Sequence, residues 1–200
     1  MVSEKSEKQK MMAGEWFCAN DPELDSDRIR AYDLATEYNN TTRGENEKRS
    51  EILKQLLGES HDDTVIVPPF RCDFGYNIFI DKNFYCNMGL VILDEGEVRI
   101  GHSVAIGPNL HIYTAHHPLD DPIERGKGMS MGKPVIIGKY VWMGGGVIIN
   151  PGVTIGEYSI IGSGSVVAKN IPPRVVAVGN PCRPIRELTI KEIESAETRQ

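Results

Sequence analysis

From Ile137 the chain falls into consecutive six-residue units, IGKYVW, MGGGVI, INPGVT, IGEYSI, IGSGSV and VAKNIP. The first position is apolar throughout: Ile137, Met143, Ile149, Ile155, Ile161, Val167. The second is small or polar: Gly138, Gly144, Asn150, Gly156, Gly162, Ala168. Val141, Val147 and Val153 hold the fifth, followed by Ser159 and Ser165. A strict sixfold register suits neither the 3.6 period of a helix nor the alternation of an antiparallel sandwich. It marks a solenoid, in which short strand–turn units stack and share a core that no single unit could bury. Glycine at the second position is expected to turn the corner, because it tolerates φ > 0 without steric cost.

The same phase runs upstream through Ile100–Ala105 and Ile106–His111, and more faintly through Ile80–Tyr85 and Cys86–Val91. Between Ile92 and Ile100 the spacing is eight residues where six would keep phase, so Asp94, Glu95 and Gly96 are expected to bulge out as a short loop. A longer interruption at 113–133 reads as an excursion loop of the kind that carries function. Residues 1–60 have another character. Asp25–Asn39 places Ile29, Tyr32, Leu34 and Tyr38 near helical spacing, and Glu45–Leu57 ends in Gly58, a C-cap signal. Two helices there would cover the first coil. The expected organisation is a helical segment at 1–60, a β-helix at 61–186 entered at Pro68–Pro69, and a polar tail at 187–200.

The net charge of −6 argues against nucleic acid or an anionic membrane as main partner, while leaving room for a local phosphate pocket. No apolar run is long enough to span a bilayer. MVSEKSEKQKMM has no apolar stretch behind its charges, so no signal peptide is expected. Cys18, Cys72, Cys86 and Cys182 form no Cys-x-x-Cys pair, which fits a reducing, cytoplasmic setting and speaks against structural zinc.

Several segments carry a resemblance to the maltose and galactoside O-acetyltransferases, the maltose branch most closely. They are Ala13–Glu15, FRCDFGYNIFI at 70–80, NFYCN at 83–87, HIYTAHHP at 111–118, GKPVIIGKYVWMGGG at 132–146, INPGVTIG at 149–156 and GNPCRPIREL at 179–188. The resemblance implies a mainly β fold, a left-handed parallel β-helix with a helical N-terminal segment. It also implies a homotrimer with active sites between subunits, and transfer of acetyl from acetyl-CoA to a sugar hydroxyl. Such a transfer needs a base for the attacking hydroxyl and a donor for the oxyanion, and no metal. An imidazole, ordinarily titrating near pH 6.5, suits the first task.

By this resemblance His117 is the base, with His116 as the neighbour to weigh against it. Asn87 matches an asparagine at the acceptor and oxyanion site, and Tyr85 an acceptor-contacting tyrosine. Glu95 matches a sugar-binding carboxylate, a role Asp94 could share, and Asp21 and Arg28 match residues that close over the acceptor. Gly145, Ser163 and Ala168 match backbone contacts to the pantetheine arm, and Lys169, Arg183 and Arg186 match cations for the coenzyme's phosphates. Trp142 matches an indole near the acyl group or is simply core.

Three alternatives stand beside this reading. A related β-helix hydratase binds zinc through three histidines, and His111 and His116 have a spacing that family uses, without a third imidazole in phase. A non-catalytic scaffold would not need His117, Asn87 and the cationic set. An acetyltransferase for an antibiotic or amino sugar would differ only on the acceptor side.

Overall fold

The computed structural model describes residues 5–189, so the tail expected at 187–200 lies, beyond Thr189, outside the described residues. The chain winds into a parallel β-helix with three faces. The first face stacks Val65–Ile66, Tyr85–Cys86, Ala105–Ile106, Trp142–Met143, Ile160–Ile161 and Val175–Val178. Phe70–Cys72, Leu90–Leu93, His111–Tyr113, Ile148–Ile149 and Val166–Val167 form the second. The third holds Ile78–Ile80, Val98–Ile100, Val135–Ile137 and Thr154–Ile155. All of these rungs pair in parallel, and only the last strand, Arg183–Glu187, turns back antiparallel onto Val175–Val178.

The register explains the sixfold pattern. Rungs align Cys86 with Ile106, Ile106 with Met143 and Met143 with Ile161, so first-position residues stack over one another inside the prism. Every first-position residue from Ile137 to Val167 is at most 1% exposed, and the fifth-position Val141, Val147, Val153, Ser159 and Ser165 are buried with them. Removing one such aliphatic from water stabilises the fold by about 1.5–3 kcal/mol. The two serines are satisfied inside: Ser159 Oγ donates to the Pro172 carbonyl, and Ser165 Oγ to that of Gly162.

The corners work differently from the expectation. Left-handed backbone falls on the fourth position of the unit, not the second: Asn83, Ser103, Asn109, Tyr140, Gly146, Gly152, Tyr158 and Gly164 all have φ between 56° and 78°. Second-position glycines serve close approach between coils. A Cβ on Gly138 would lie 2.6 Å from the Glu157 nitrogen, and one on Gly144 would lie 2.7 Å from that of Ser163. Side chains other than glycine cost about 1–2 kcal/mol in the left-handed region. At one corner a ring stack offsets part of that, with Tyr140 and Tyr158 at 5.0 Å between centroids and His102 edge-on to Tyr140.

Three helices precede the coils. Helix α1 (Glu7–Met12) opens with a capping box between Ser6 and Gln9, and α2 (Pro22–Asn39) opens on Asp21 with Pro22 in its first turn. Helix α3 (Asn46–Leu56) has no side-chain cap. Ala31, Ala35 and Tyr38 of α2 join Ile52, Leu53 and Leu56 of α3 in one continuous core with the first coil. The buried stripe of α2 is thus not the expected one, since Ile29 and Tyr32 stay 63% and 60% exposed. Tyr38 donates to the Ile66 carbonyl at 2.5 Å, and Asn39 brackets Phe70 with two 2.8 Å bonds, tying helix to coil. Gly58 is not a C-cap either; α3 ends with Leu57 in extended backbone. Glycine is needed at 58 because a Cβ there would meet the Tyr76 carbonyl at 2.3 Å.

The close-approach role of the second position is testable with alanine. Gly138→Ala forces two coil backbones apart and should cost about 1–3 kcal/mol, read as a lower urea midpoint. Gly44→Ala, which meets nothing within 4 Å, should leave the midpoint almost unchanged.

Candidate active site

The excursion at 113–133 is anchored rather than structureless. Ala115–His116 pairs antiparallel with Met131–Gly132, and Ser130 and Met129 pair in turn with Phe17–Cys18 from the N-terminal segment. Its tip is the short helix α4 (Pro122–Gly126), started by Asp121, whose carboxylate accepts from the Ile123 and Glu124 amides. Asp121 supplies its cap and Pro122 its first residue, a pairing suited to a helix start.

His117 stands exposed just after the first of these strands, with Nδ1 3.1 Å from the Met129 carbonyl. A carbonyl can only accept, so Nδ1 carries a hydrogen, and in the neutral ring Nε2 is the nitrogen with the lone pair. His116 faces a different environment: its ring lies 5.9 Å from Trp16. Burial, reinforced by Lys133 and His117, holds its pKa below the usual histidine value.

Carboxylates gather on the same corner, between the second and third faces. Glu95 accepts a short hydrogen bond from the buried Ser130 hydroxyl. Asp94 does not bulge out with it. It is fully buried, and its Oδ1 accepts from the Asp73 and Phe74 amides at 3.0 and 2.9 Å, while Oδ2 has no partner. Its side chain therefore faces the interior, whereas Glu95 stays partly exposed. Of the three off-register residues only Asp94 turns inward, where its carboxylate satisfies the turn of the coil below. Burial pushes Asp94 up to about 6 against the pull of those amides.

Asp73, to which the sequence reading gave no role, shares a cavity of about 360 Å3 with Arg28, Asp25, Tyr32 and Cys72. Burial, then the charges of Asp94 and Glu95, push its carboxyl up to about 7, with Arg28 pulling the other way. Its signal was available: an acid at a corner position one coil below Asp94. Arg28 donates to the Ala19 carbonyl and the Asp25 carboxylate, both at 2.6 Å, and lies 5.6 Å from the Phe74 ring centroid. Asp21 accepts from the Glu23 and Leu24 amides, so its carboxylate serves as the cap of α2.

The other predicted residues lie on the corner between the first and second faces. Asn87 follows the Tyr85–Cys86 rung, and its Oδ1 accepts from the Met88 amide at 2.8 Å, leaving the Nδ2 hydrogens as donors. Gly145 and Ser163 stack on the same corner in later coils, beside Gly146 and Gly164, where an added Cβ would meet nothing closer than 3.9 Å. Arg183 and Arg186 sit on the terminal strand opposite Val178 and Val176. Four rung spacings of about 4.8 Å separate Asn87's rung from that strand's partner, roughly 19 Å along the axis. Trp142 is not core: it is 53% exposed on the first face, over Ala105 and thence Tyr85.

Ala168 and Lys169 depart from this set. They follow Val166–Val167 and so fall on the His117 corner, two rungs beyond His111–Tyr113. The predicted residues thus fall into two groups on the corners flanking the second face. One holds His117, Glu95, Ala168 and Lys169, with Arg28 and Asp21 alongside. The other holds Tyr85, Asn87, Gly145, Ser163, Arg183 and Arg186. A single chain keeps them on different corners. Among the described residues no group of three His, Cys, Asp or Glu is placed to hold a metal, and His111 Nδ1 is 2.6 Å from the Tyr113 hydroxyl. No helix among the described residues is long and apolar enough to cross a membrane.

A helix-capped parallel β-helix with a histidine-bearing excursion is the architecture of hexapeptide-repeat acyltransferases, and similarity to known families and structures places the chain among them. Residues 10–61 match the maltose acetyltransferase hexapeptide capping motif, and residues 134–169 the bacterial transferase hexapeptide repeat. Nodulation protein L of Rhizobium meliloti is 47% identical over 90% of this chain and 97% of its own. A maltose O-acetyltransferase from Clostridium difficile superposes with a TM-score of 0.90 at 46% identity, covering 92% of this chain and 98% of that one. A galactoside acetyltransferase in complex with coenzyme A gives 0.88 at 38% identity, covering 95% and 94%. The chain belongs to the hexapeptide-repeat acetyltransferases of the maltose O-acetyltransferase type.

The buried carboxyls predict a pH effect on stability. Both Asp94 and Asp73 titrate higher folded than unfolded, so their contribution is complete near pH 4 and is lost as pH rises through about 6 and about 7. Asp94→Asn keeps an oxygen for the two amides and cannot ionise. It should gain on the wild type by about 2 kcal/mol between about pH 4.5 and about pH 8, measured by urea unfolding. A constant difference across that range would remove the proposed burial effect.

Proposed function

We propose that this acetyltransferase moves the acetyl group of acetyl-CoA to a hydroxyl of a small sugar, with His117 as general base, in the cytoplasm. The observation that carries the reading is the Nδ1–H···O=C bond from His117 to Met129, which leaves Nε2 free to take a proton. Nε2 accepts the acceptor's hydroxyl proton as the oxygen attacks the thioester carbonyl carbon. The tetrahedral oxyanion then meets the Nδ2 donor of Asn87, whose own oxygen is held by Met88. As the C–S bond breaks, the imidazolium returns the proton to the departing thiolate.

The corner from Asn87 past Gly145 and Ser163 to Arg183 suits an extended thioester. Its acyl end would lie at the donor amide and its phosphates at the cations, about the length of a pantetheine arm away. Glu95 and Arg28, with Asp73, would bind acceptor hydroxyls on the other corner. Because the two groups sit on different corners of one chain, we propose a homotrimer in which the His117 corner of one subunit faces the Asn87 corner of the next. A metal has no part in these steps.

With acetyl-CoA and a panel of glucosides, galactosides and amino sugars, thiol release should depend on the sugar and fall roughly 10²–10⁴-fold in His117→Ala. A retained rate would transfer the role to His116 or water. A panel response confined to amino sugars would favour an N-acetyltransferase instead. The shared site makes a second prediction. His117→Ala and Asn87→Ala, each impaired alone, should regain activity when their subunits are mixed by co-expression, because some interfaces then carry both native residues. Absence of any complementation would place both residues in one subunit's site.

A further inference from the structure

A cavity of about 630 Å3 opens beside Tyr85 and Asn87, walled by the α2–α3 connection with Arg43, Asn46 and Arg49, over Val65 on the floor. That volume lies within the roughly 300–1,000 Å3 range of small-molecule sites and is larger than one hexose ring fills. Its lining is cationic in a chain of net charge −6, and no carboxylate takes part in it. Glu45, beside Asn46, accepts from the Thr42 amide and hydroxyl at 2.6 and 2.8 Å, and its charge also acts on Arg49, so Arg43 is the cation left to the rim.

The two arginines differ. Arg49 is half-buried and built in: Nε donates to Thr41 Oγ1 at 2.7 Å, one amino nitrogen to the Thr41 carbonyl, and the guanidinium lies 5.9 Å from the Tyr38 ring centroid. A guanidinium has five donors, so some remain for a ligand. Arg43 is exposed at the rim. The coenzyme's phosphates are not the anion this pocket awaits, because the other cationic set lies four rungs along the axis, roughly 19 Å from Asn87's rung.

We propose that this pocket holds the part of the acceptor beyond the acetylated ring, and that the preferred acceptor is a saccharide of two or more rings carrying an anionic group, carboxylate or phosphate, on that distal ring. This inference rests on the sugar-acceptor reading above. Tyr85 supplies a half-exposed aromatic surface for a ring, and Arg43 and Arg49 supply charge-assisted hydrogen bonds to the anion.

The test uses maltose, maltose 1-phosphate and a glucosyl-glucuronate disaccharide, with binding by calorimetry and acetylation by thiol release. Among the described residues Arg43 makes no hydrogen bond or ion pair, so Arg43→Gln should fold normally, and Arg43→Lys keeps the charge. The wild type should bind at least one anionic disaccharide about tenfold (~1.4 kcal/mol) more tightly than maltose, with the advantage shrinking at high salt. Arg43→Gln should cut the preference to about threefold or less while leaving maltose unaffected, and Arg43→Lys should retain most of it. The phosphate and uronate arms decide which anion is preferred. Equal binding of all three, or a preference unchanged in Arg43→Gln, overturns the inference. If the anionic preference holds in binding but no saccharide is acetylated, the pocket stands and the acceptor reading falls.

Discussion

Each coil can exist only against its neighbours. A two-residue rung has too little apolar surface to hold itself, and its backbone amides and carbonyls need partners above and below. Both demands are met by one register, in which Ile66, Cys86, Ile106, Met143, Ile161 and Ala177 form a single inward column while the main chains bond in parallel. That register then dictates the corners. Backbones stacked at rung spacing leave no room for a Cβ at second-position glycines such as Gly138 and Gly144, and the tight turn places left-handed backbone at the fourth. Placement of Asn87, Gly145 and Ser163 on one edge follows from this geometry, without any further device to aim them.

The excursion breaks the register and is held by a different principle. Its strands are antiparallel, and their outer partner is Phe17–Cys18, delivered by the N-terminal segment. Phe17 itself is buried with Met11, Leu24 and Phe74 in a second, smaller core. The helical cap therefore does two jobs. Through Tyr38, Ile52 and Leu56 it closes the open end of the main core, and through Phe17 it braces the hairpin on which His117 stands. The Met129 carbonyl that accepts from His117 belongs to the strand that Cys18 pairs with, so the imidazole's orientation depends on a segment far earlier in the chain.

The coils were legible because their constraint is periodic: Ile137 to Val167 could be assigned to the core by counting sixes. What periodicity does not encode was read less well. The reason for the glycines lies in inter-coil distances, which a sequence does not carry, so Gly138 and Gly58 read as turn and cap residues although both are close-approach positions. In α2 the apolar aromatic Tyr32 and Ile29 looked like the core stripe, yet the narrow space against the first coil accepts Ala31 and Ala35. Asp94 was misplaced because an off-register insertion looks like a surface loop, whereas here its acid turns in to satisfy amides of the coil below. Asp73 could have been found by extending the phase one coil back.

The two corners flanking the second face are under unequal constraint. Along the Asn87 corner the later coils carry glycines at Gly144, Gly145 and Gly146 that stacking and turning constrain closely. On the His117 corner the register is already broken, at Asp94–Gly96 and again by the excursion, so side chains there are free of the sixfold rule and can be chosen for chemistry. A common thioester and a variable acceptor, on the reading proposed above, need this division. The invariant half of the substrate lies where the fold permits little variation, and the part that differs between acceptors meets residues of the excursion, the helical cap and the α2–α3 connection, where substitution leaves the core column intact.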